Sequence, residues 1–75
     1  MRSKIIELLR DIDEDIVDFD GDDLMDAGIL DSFTIIEILG SVEEILSIKI
    51  NPEDVVQANF KTVDTICSFV LSYLD

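Results

Sequence analysis

The residues best placed to do chemistry in this chain are Asp31 and Ser32, within the run Asp26-Ala27-Gly28-Ile29-Leu30-Asp31-Ser32-Phe33-Thr34-Ile35-Ile36-Glu37. A polar, glycine-bearing stretch leads into a favoured helix-capping residue. A serine follows, and then an isoleucine-rich amphipathic pattern that lasts to about Leu46. With Asp31 as the cap, Ser32 falls on the first helical turn, where backbone N–H groups have no partner inside the helix. Those groups and the positive end of the helix dipole favour an oxyanion on the serine. An exposed hydroxyl there can carry a phosphate. A serine near a helix start is by itself usually only a cap. Three features distinguish Ser32: Asp31 already serves as cap, a glycine precedes the pair, and an acidic face studded with apolar residues follows it.

The helix that must position Ser32 runs from about Ser32 to Leu46, with Ile35, Ile38, Leu39, Val42, Ile45 and Leu46 as its core stripe. Phe33, Ile36, Glu37, Gly40, Glu43 and Glu44 form a second, partly exposed face, because spacings of three and four bring side chains together on a helix surface. Read without any partner, the glutamates are solvated charges and Ile36 is core. As a set beside Ser32 they read as an interface.

The run Gly28-Ile29-Leu30-Asp31-Ser32-Phe33, with Glu37 and the pair Glu43-Glu44, resembles the attachment site of acyl carrier proteins and of related peptidyl and D-alanyl carriers. The likeness extends to Asn51-Pro52-Glu53-Asp54 and to Asn59-Phe60-Lys61-Thr62-Val63, so it spans most of the chain. It implies 4'-phosphopantetheine esterified to Ser32 by a phosphopantetheinyl transferase. Asp31 would help that enzyme engage its metal-bound coenzyme A. Phe33, Ile36, Glu37, Gly40, Glu43 and Glu44 would meet the transferase and acyl- or aminoacyl-loading enzymes through basic docking patches. Two positions depart from the family pattern: Phe33 stands where leucine or methionine is usual, and Gly40 where a larger apolar residue is common.

With 75 residues the chain is read as one domain, spanning 1–75, of modest stability. Nearly half the residues are apolar, at 48%, which supports a compact core and argues against a disordered acidic tail. Eighteen acidic against five basic residues give a net charge of −13, which disfavours nucleic acid and points to basic partners. The same charge destabilises the compact state. Raising the salt concentration is therefore expected to raise the melting temperature by screening; a melting temperature flat from low to moderate salt would contradict this. One cysteine excludes an internal disulfide, and the absence of histidine rules out the familiar zinc ligand sets. No apolar run approaches the ~18 residues of a membrane span. Glu7 and Arg10 interrupt any signal-like stretch at the amino end, so a cytoplasmic location is expected, and a monomer.

In order along the chain, Ile5, Leu8, Leu9, Ile12 and Ile16 fall at helical spacings and predict a first helix over roughly 2–13. An acid-rich loop from Asp13 to Asp26 follows, pinned by Ile16, Val17, Phe19 and Leu24. Its Asp18-Phe19-Asp20-Gly21 matches part of a calcium-binding loop, but registering Gly21 on that motif's glycine puts Ile16 and Ala27 at ligand positions, so the match fails. After an extended connection over 47–50, Asn51 caps and Pro52 opens a short third helix through about Ala58, anchored by Val55 and Val56. Thr62 caps the last helix, with Val63, Ile66, Cys67, Val70 and Leu74 on one stripe. Cys67 reads as a small core residue. Phe60 is expected to close the core and Tyr73 to lie at the periphery. The fold expected is all-α: a small four-helix bundle of three longer helices, one short third helix, and a long loop between helices 1 and 2.

Catalysis by the chain itself is disfavoured. Without histidine no Ser-His-Asp arrangement exists, and Ser32 lies in no Gly-x-Ser-x-Gly elbow. The resemblance instead implies a carrier of acyl or aminoacyl groups, held as thioesters on the phosphopantetheine arm. The pathways open to it are fatty acid, polyketide or nonribosomal peptide synthesis, and D-alanine transfer to a cell-wall polymer. The run before Ser32 and the missing bulk at Gly40 look more like a dedicated pathway carrier than a housekeeping fatty acid carrier. Ile36, Leu39 and Val55 are positions that a fatty chain could part. From another class, an unmodified acidic module docking on a basic protein uses the same face.

Overall fold

The computed structural model describes residues 2–74, and among them the regular structure is entirely helical. Helix α1 spans Arg2–Ile12 and buries Ile5, Leu8 and Leu9. It stops where Asp13 turns extended (φ −163°) and uses its side chain to accept the Asp15 N–H at 3.0 Å. That cap starts a five-residue helix, α2, Glu14–Asp18, which the periodicity of the sequence does not reveal. Ile16 is buried as expected, but on the helix α2 where an irregular loop was expected. The physical reason is the Asp13 carboxylate, which competes for backbone donors and favours a new start over continuation.

Between α2 and α3 the chain folds back on itself. Leu24 is fully buried and donates its N–H to Lys61 O at 2.7 Å, tying the acidic loop to the approach of the last helix. Asp23 accepts from Met25 N and Asp26 N through Oδ1 and from Gln57 Nε2 through Oδ2, so this carboxylate is structural. Gly28 adopts φ +79°, a left-handed conformation that glycine accepts at little cost. The turn places Ile29 N and Leu30 N on Leu24 O at 3.0 and 3.2 Å and buries Leu30 ahead of the next helix.

Helix α3, Ser32–Leu46, packs through Ile35, Ile38 and Val42. Leu39 and Leu46 are half-buried and Ile45 is half-exposed, so the core stripe is narrower than the sequence suggests. The helix ends at Ser47 in a left-handed conformation, φ 56°. The third helix expected from Pro52 to about Ala58 is not a single helix. Asn51 caps a 3₁₀ turn over Pro52–Asp54, the chain extends at Val56, and a second 3₁₀ turn covers Gln57–Phe60. Adjacent β-branched Val55 and Val56 interrupt the winding. Val56 is about half-exposed and is no anchor; Phe60, 1% exposed, fixes this segment in the core.

Helix α4, Val63–Ser72, opens with a capping box in which Thr62 and Thr65 each accept the other's backbone N–H, at 3.2 and 2.9 Å. It buries Ile66, Cys67, Phe69 and Val70, and α1 packs against α2, α3 and α4. Burial pushes the Cys67 thiol pKa up, as expected of a core residue. Phe69 stands edge-to-face with both Phe60 and Tyr73, at ring separations of 5.5 and 5.4 Å.

Tyr73 is more than peripheral. Its hydroxyl accepts the Asn51 N–H at 3.1 Å and donates to the Asp54 carboxylate, clasping the first 3₁₀ turn to the end of α4. Asp54 raises the tyrosine pKa above the ordinary range. A group raised on folding contributes stability that is complete below its unfolded pKa, about 10, and lost as pH climbs through the folded value. Tyr73→Phe is therefore expected to melt lower than wild type at neutral pH, and the gap should close at strongly alkaline pH. A gap that stays constant with pH would show that the hydroxyl proton donated to Asp54 is not what stabilises the clasp.

Candidate functional site

Asp31 precedes α3 in extended conformation and accepts Thr34 N at 2.9 Å and Thr34 Oγ1 at 3.0 Å, both through Oδ1. These hydrogen bonds, the backbone one foremost, hold its pKa below the usual carboxylate range, so Asp31 stays ionised as a cap. The helix ladder starts with Ile35 N on Asp31 O at 3.0 Å. The N–H groups of Ser32 and Phe33 therefore lie outside the intrahelical ladder, at the positive end of the helix. Ser32 is the first residue of α3 and is exposed. Its surroundings fit a phosphodiester: the hydroxyl is accessible, the cap function is already taken by its neighbour, and the helix end offers positive potential to the added anion.

Five of the six residues expected on the partner face are exposed: Phe33 at 71%, Ile36 at 67%, and Glu37, Gly40 and Glu44. Ile36 is thus surface and not core. Glu43 differs from the others: it is half-buried and its Oε2 accepts the Ile50 N–H at 2.9 Å, fastening the chain that leaves α3. A sequence separation of seven through an irregular segment gave no hint of that bond. On the side of α3 facing the 3₁₀ segment lies a cleft of about 270 Å³, whose lining includes Ser32, Ile36, Leu39, Val55, Val56 and Phe60. The three positions singled out as able to part around a fatty chain, Ile36, Leu39 and Val55, meet in it.

No helix among the described residues is long and apolar enough to cross a membrane. Among the same residues, no group of three or more His, Cys, Asp or Glu side chains is arranged to hold a metal ion.

An exposed serine opening a capped helix, on an acidic all-helical domain, is an arrangement that can hold a group esterified to that serine. The family model for the phosphopantetheine attachment site matches residues 2–70, nearly the whole chain, and the protein belongs to that family. Its members carry 4'-phosphopantetheine covalently on a serine and are generally non-catalytic carriers, served by phosphopantetheinyl transferases and biosynthetic enzymes. No curated protein and no solved structure gives a match.

Proposed function

We propose that this protein is an acyl carrier protein that bears phosphopantetheine on Ser32 and delivers acyl or aminoacyl groups, held as thioesters, to partner enzymes. The observation that carries this reading is the exposed Ser32 hydroxyl at the first position of α3, with Asp31 already occupied as cap. In the attachment step the Ser32 oxygen attacks the phosphorus on the pantetheine side of coenzyme A's pyrophosphate. Adenosine 3',5'-bisphosphate leaves, and the serine proton passes to a base of the transferase. The start of α3 steadies the new phosphodiester's negative charge through its dipole. Both Thr34 hydrogen bonds fall on Oδ1 of Asp31, which supports a role for Oδ2 toward the metal-bound coenzyme A. The bound arm supplies a thiol for the thioester. The chain itself supplies no acid, base or nucleophile beyond the attachment oxygen.

The cleft beside Ser32 favours an apolar acyl cargo over D-alanine. Its lining is chiefly aliphatic, and at about 270 Å³ it is slightly smaller than the usual ~300–1,000 Å³ of a ligand pocket, which suits a short chain. The acidic charge and the exposed face of α3 support docking on basic patches of the transferase and loading enzymes. Incubation with coenzyme A and a broad-specificity transferase is expected to raise the intact mass by one phosphopantetheine. An unchanged wild-type mass would refute the carrier reading and leave the unmodified acidic module.

A further inference from the structure

The wall that the 3₁₀ segment gives the cleft is only lightly packed. The turn Pro52–Asp54 buries none of its residues. Val55 and Val56, which follow it and line the cleft, are half-buried and 49% exposed. Ile50 and Phe60, 6% and 1% exposed, fix the two ends in the core. Between these anchors the segment is knit to itself: Val55 N bonds Pro52 O at 3.2 Å, and Asn59 Nδ2 donates to Asp54 O at 2.7 Å. It can therefore lift as one piece. Among the described residues, three hydrogen bonds tie residues 51–57 to the rest of the molecule. One is Gln57 to Asp23; the other two share a single oxygen, the Tyr73 hydroxyl, which accepts Asn51 N and donates to the Asp54 carboxylate. Tyr73 is held in turn by its edge-to-face contact with Phe69, and Phe69 by the same contact with Phe60, which lines the cleft. One tyrosine thus joins the wall of the cleft to its floor.

We infer that Tyr73, which lines no part of the cleft, is a specificity-determining residue: by latching the 3₁₀ segment it sets the length of straight-chain acyl group that the cleft admits. This rests on the carrier reading above and on its apolar cargo. A chain that fits the closed cleft gains burial without moving anything. A longer one buries its further methylenes only if Val55 and Val56 move outward, and that motion breaks both bonds on the Tyr73 oxygen together. Burying one methylene gains about as much as one hydrogen bond contributes, so the latch holds against about two extra carbons.

The test loads wild type, Tyr73→Phe and Asp54→Ala with the straight-chain series from butyryl to palmitoyl coenzyme A, using a broad-specificity transferase. The melting temperature of each acyl form is compared with that of the same protein carrying the arm alone. Tyr73→Phe keeps the aromatic contacts and loses both hydroxyl bonds. Asp54→Ala leaves the tyrosine in place and loses one bond, so it serves if the first variant does not fold. In wild type the gain in melting temperature should grow with chain length and then stop growing. In both variants the stopping point should move to longer chains, by about two carbons for Tyr73→Phe. A purely structural clasp would lower every melt and leave the stopping point where it was. The same stopping point in wild type and both variants would overturn the latch while leaving the carrier reading intact. A wild-type melt indifferent to chain length would overturn the latch together with the apolar cargo, and failure of wild type to be modified at all would overturn the carrier reading as well.

Discussion

Ser32→Ala is expected to abolish phosphopantetheine attachment outright while leaving the fold untouched. The two halves of that result have separate causes. The hydroxyl oxygen is the atom that forms the phosphodiester, and alanine offers no substitute for it. The cap of α3, however, is Asp31, whose Oδ1 bonds Thr34 N at 2.9 Å and Thr34 Oγ1 at 3.0 Å whatever residue follows. Ser32 is also exposed, so its removal opens no cavity. The melting free energy should therefore move by no more than about 0.5 kcal/mol. The complementary substitution, Asp31→Ala, removes the cap itself and should lower the melting temperature. If Ser32→Ala melted far below wild type, its serine would be the structural cap and the separation of roles between the two residues would be wrong.

Two phenylalanines give the largest expected contrast in stability. Phe60 is 1% exposed, closes the core beneath the cleft and stands edge-to-face with Phe69 at 5.5 Å. Phe60→Ala should cost about 3–5 kcal/mol, since it removes buried area and leaves a cavity. A domain is stable by only about 5–15 kcal/mol, so the variant loses a large fraction of its stability and should melt far below wild type. Phe33 lies beside Ser32 and is 71% exposed. Phe33→Ala should leave the melting temperature nearly unchanged and slow modification by the transferase, because an exposed aromatic side chain beside the acceptor serves a partner rather than the core. Chemical denaturation of both variants checks the pair. Equal destabilisation by the two would mean that Phe33 packs inward.

Sequence carried the local features of this fold better than the distant ones. Asp31 and Thr62 are legible as caps because a cap is defined by its nearest neighbours, and the structure shows both making the expected side-chain bonds. Phe60 and Cys67 are legible as core from their place beside or within an apolar stripe. The end of α1 near Asp13 was legible too, but the five-residue α2 that follows was not, because an aspartate's choice between helix interior and cap depends on tertiary context. Phe69, Leu30 and Ile50 are buried by packing between segments far apart in sequence, which no single-helix pattern reports. The Tyr73 clasp joins residues 22 and 19 positions apart, and the Glu43 bond crosses an irregular turn. Around the site, exposure of Phe33 and Ile36 followed from helix geometry once Asp31 fixed the register.

Localising the added group in the transferase-treated protein bears most directly on all of this. Peptide mapping by tandem mass spectrometry should place one phosphopantetheine on Ser32 and none on Ser41 or Ser47, the serines within and at the end of the same helix. A group found on either of those, or a wild-type chain that gains no mass, would contradict the assignment of the α3 start as the attachment point.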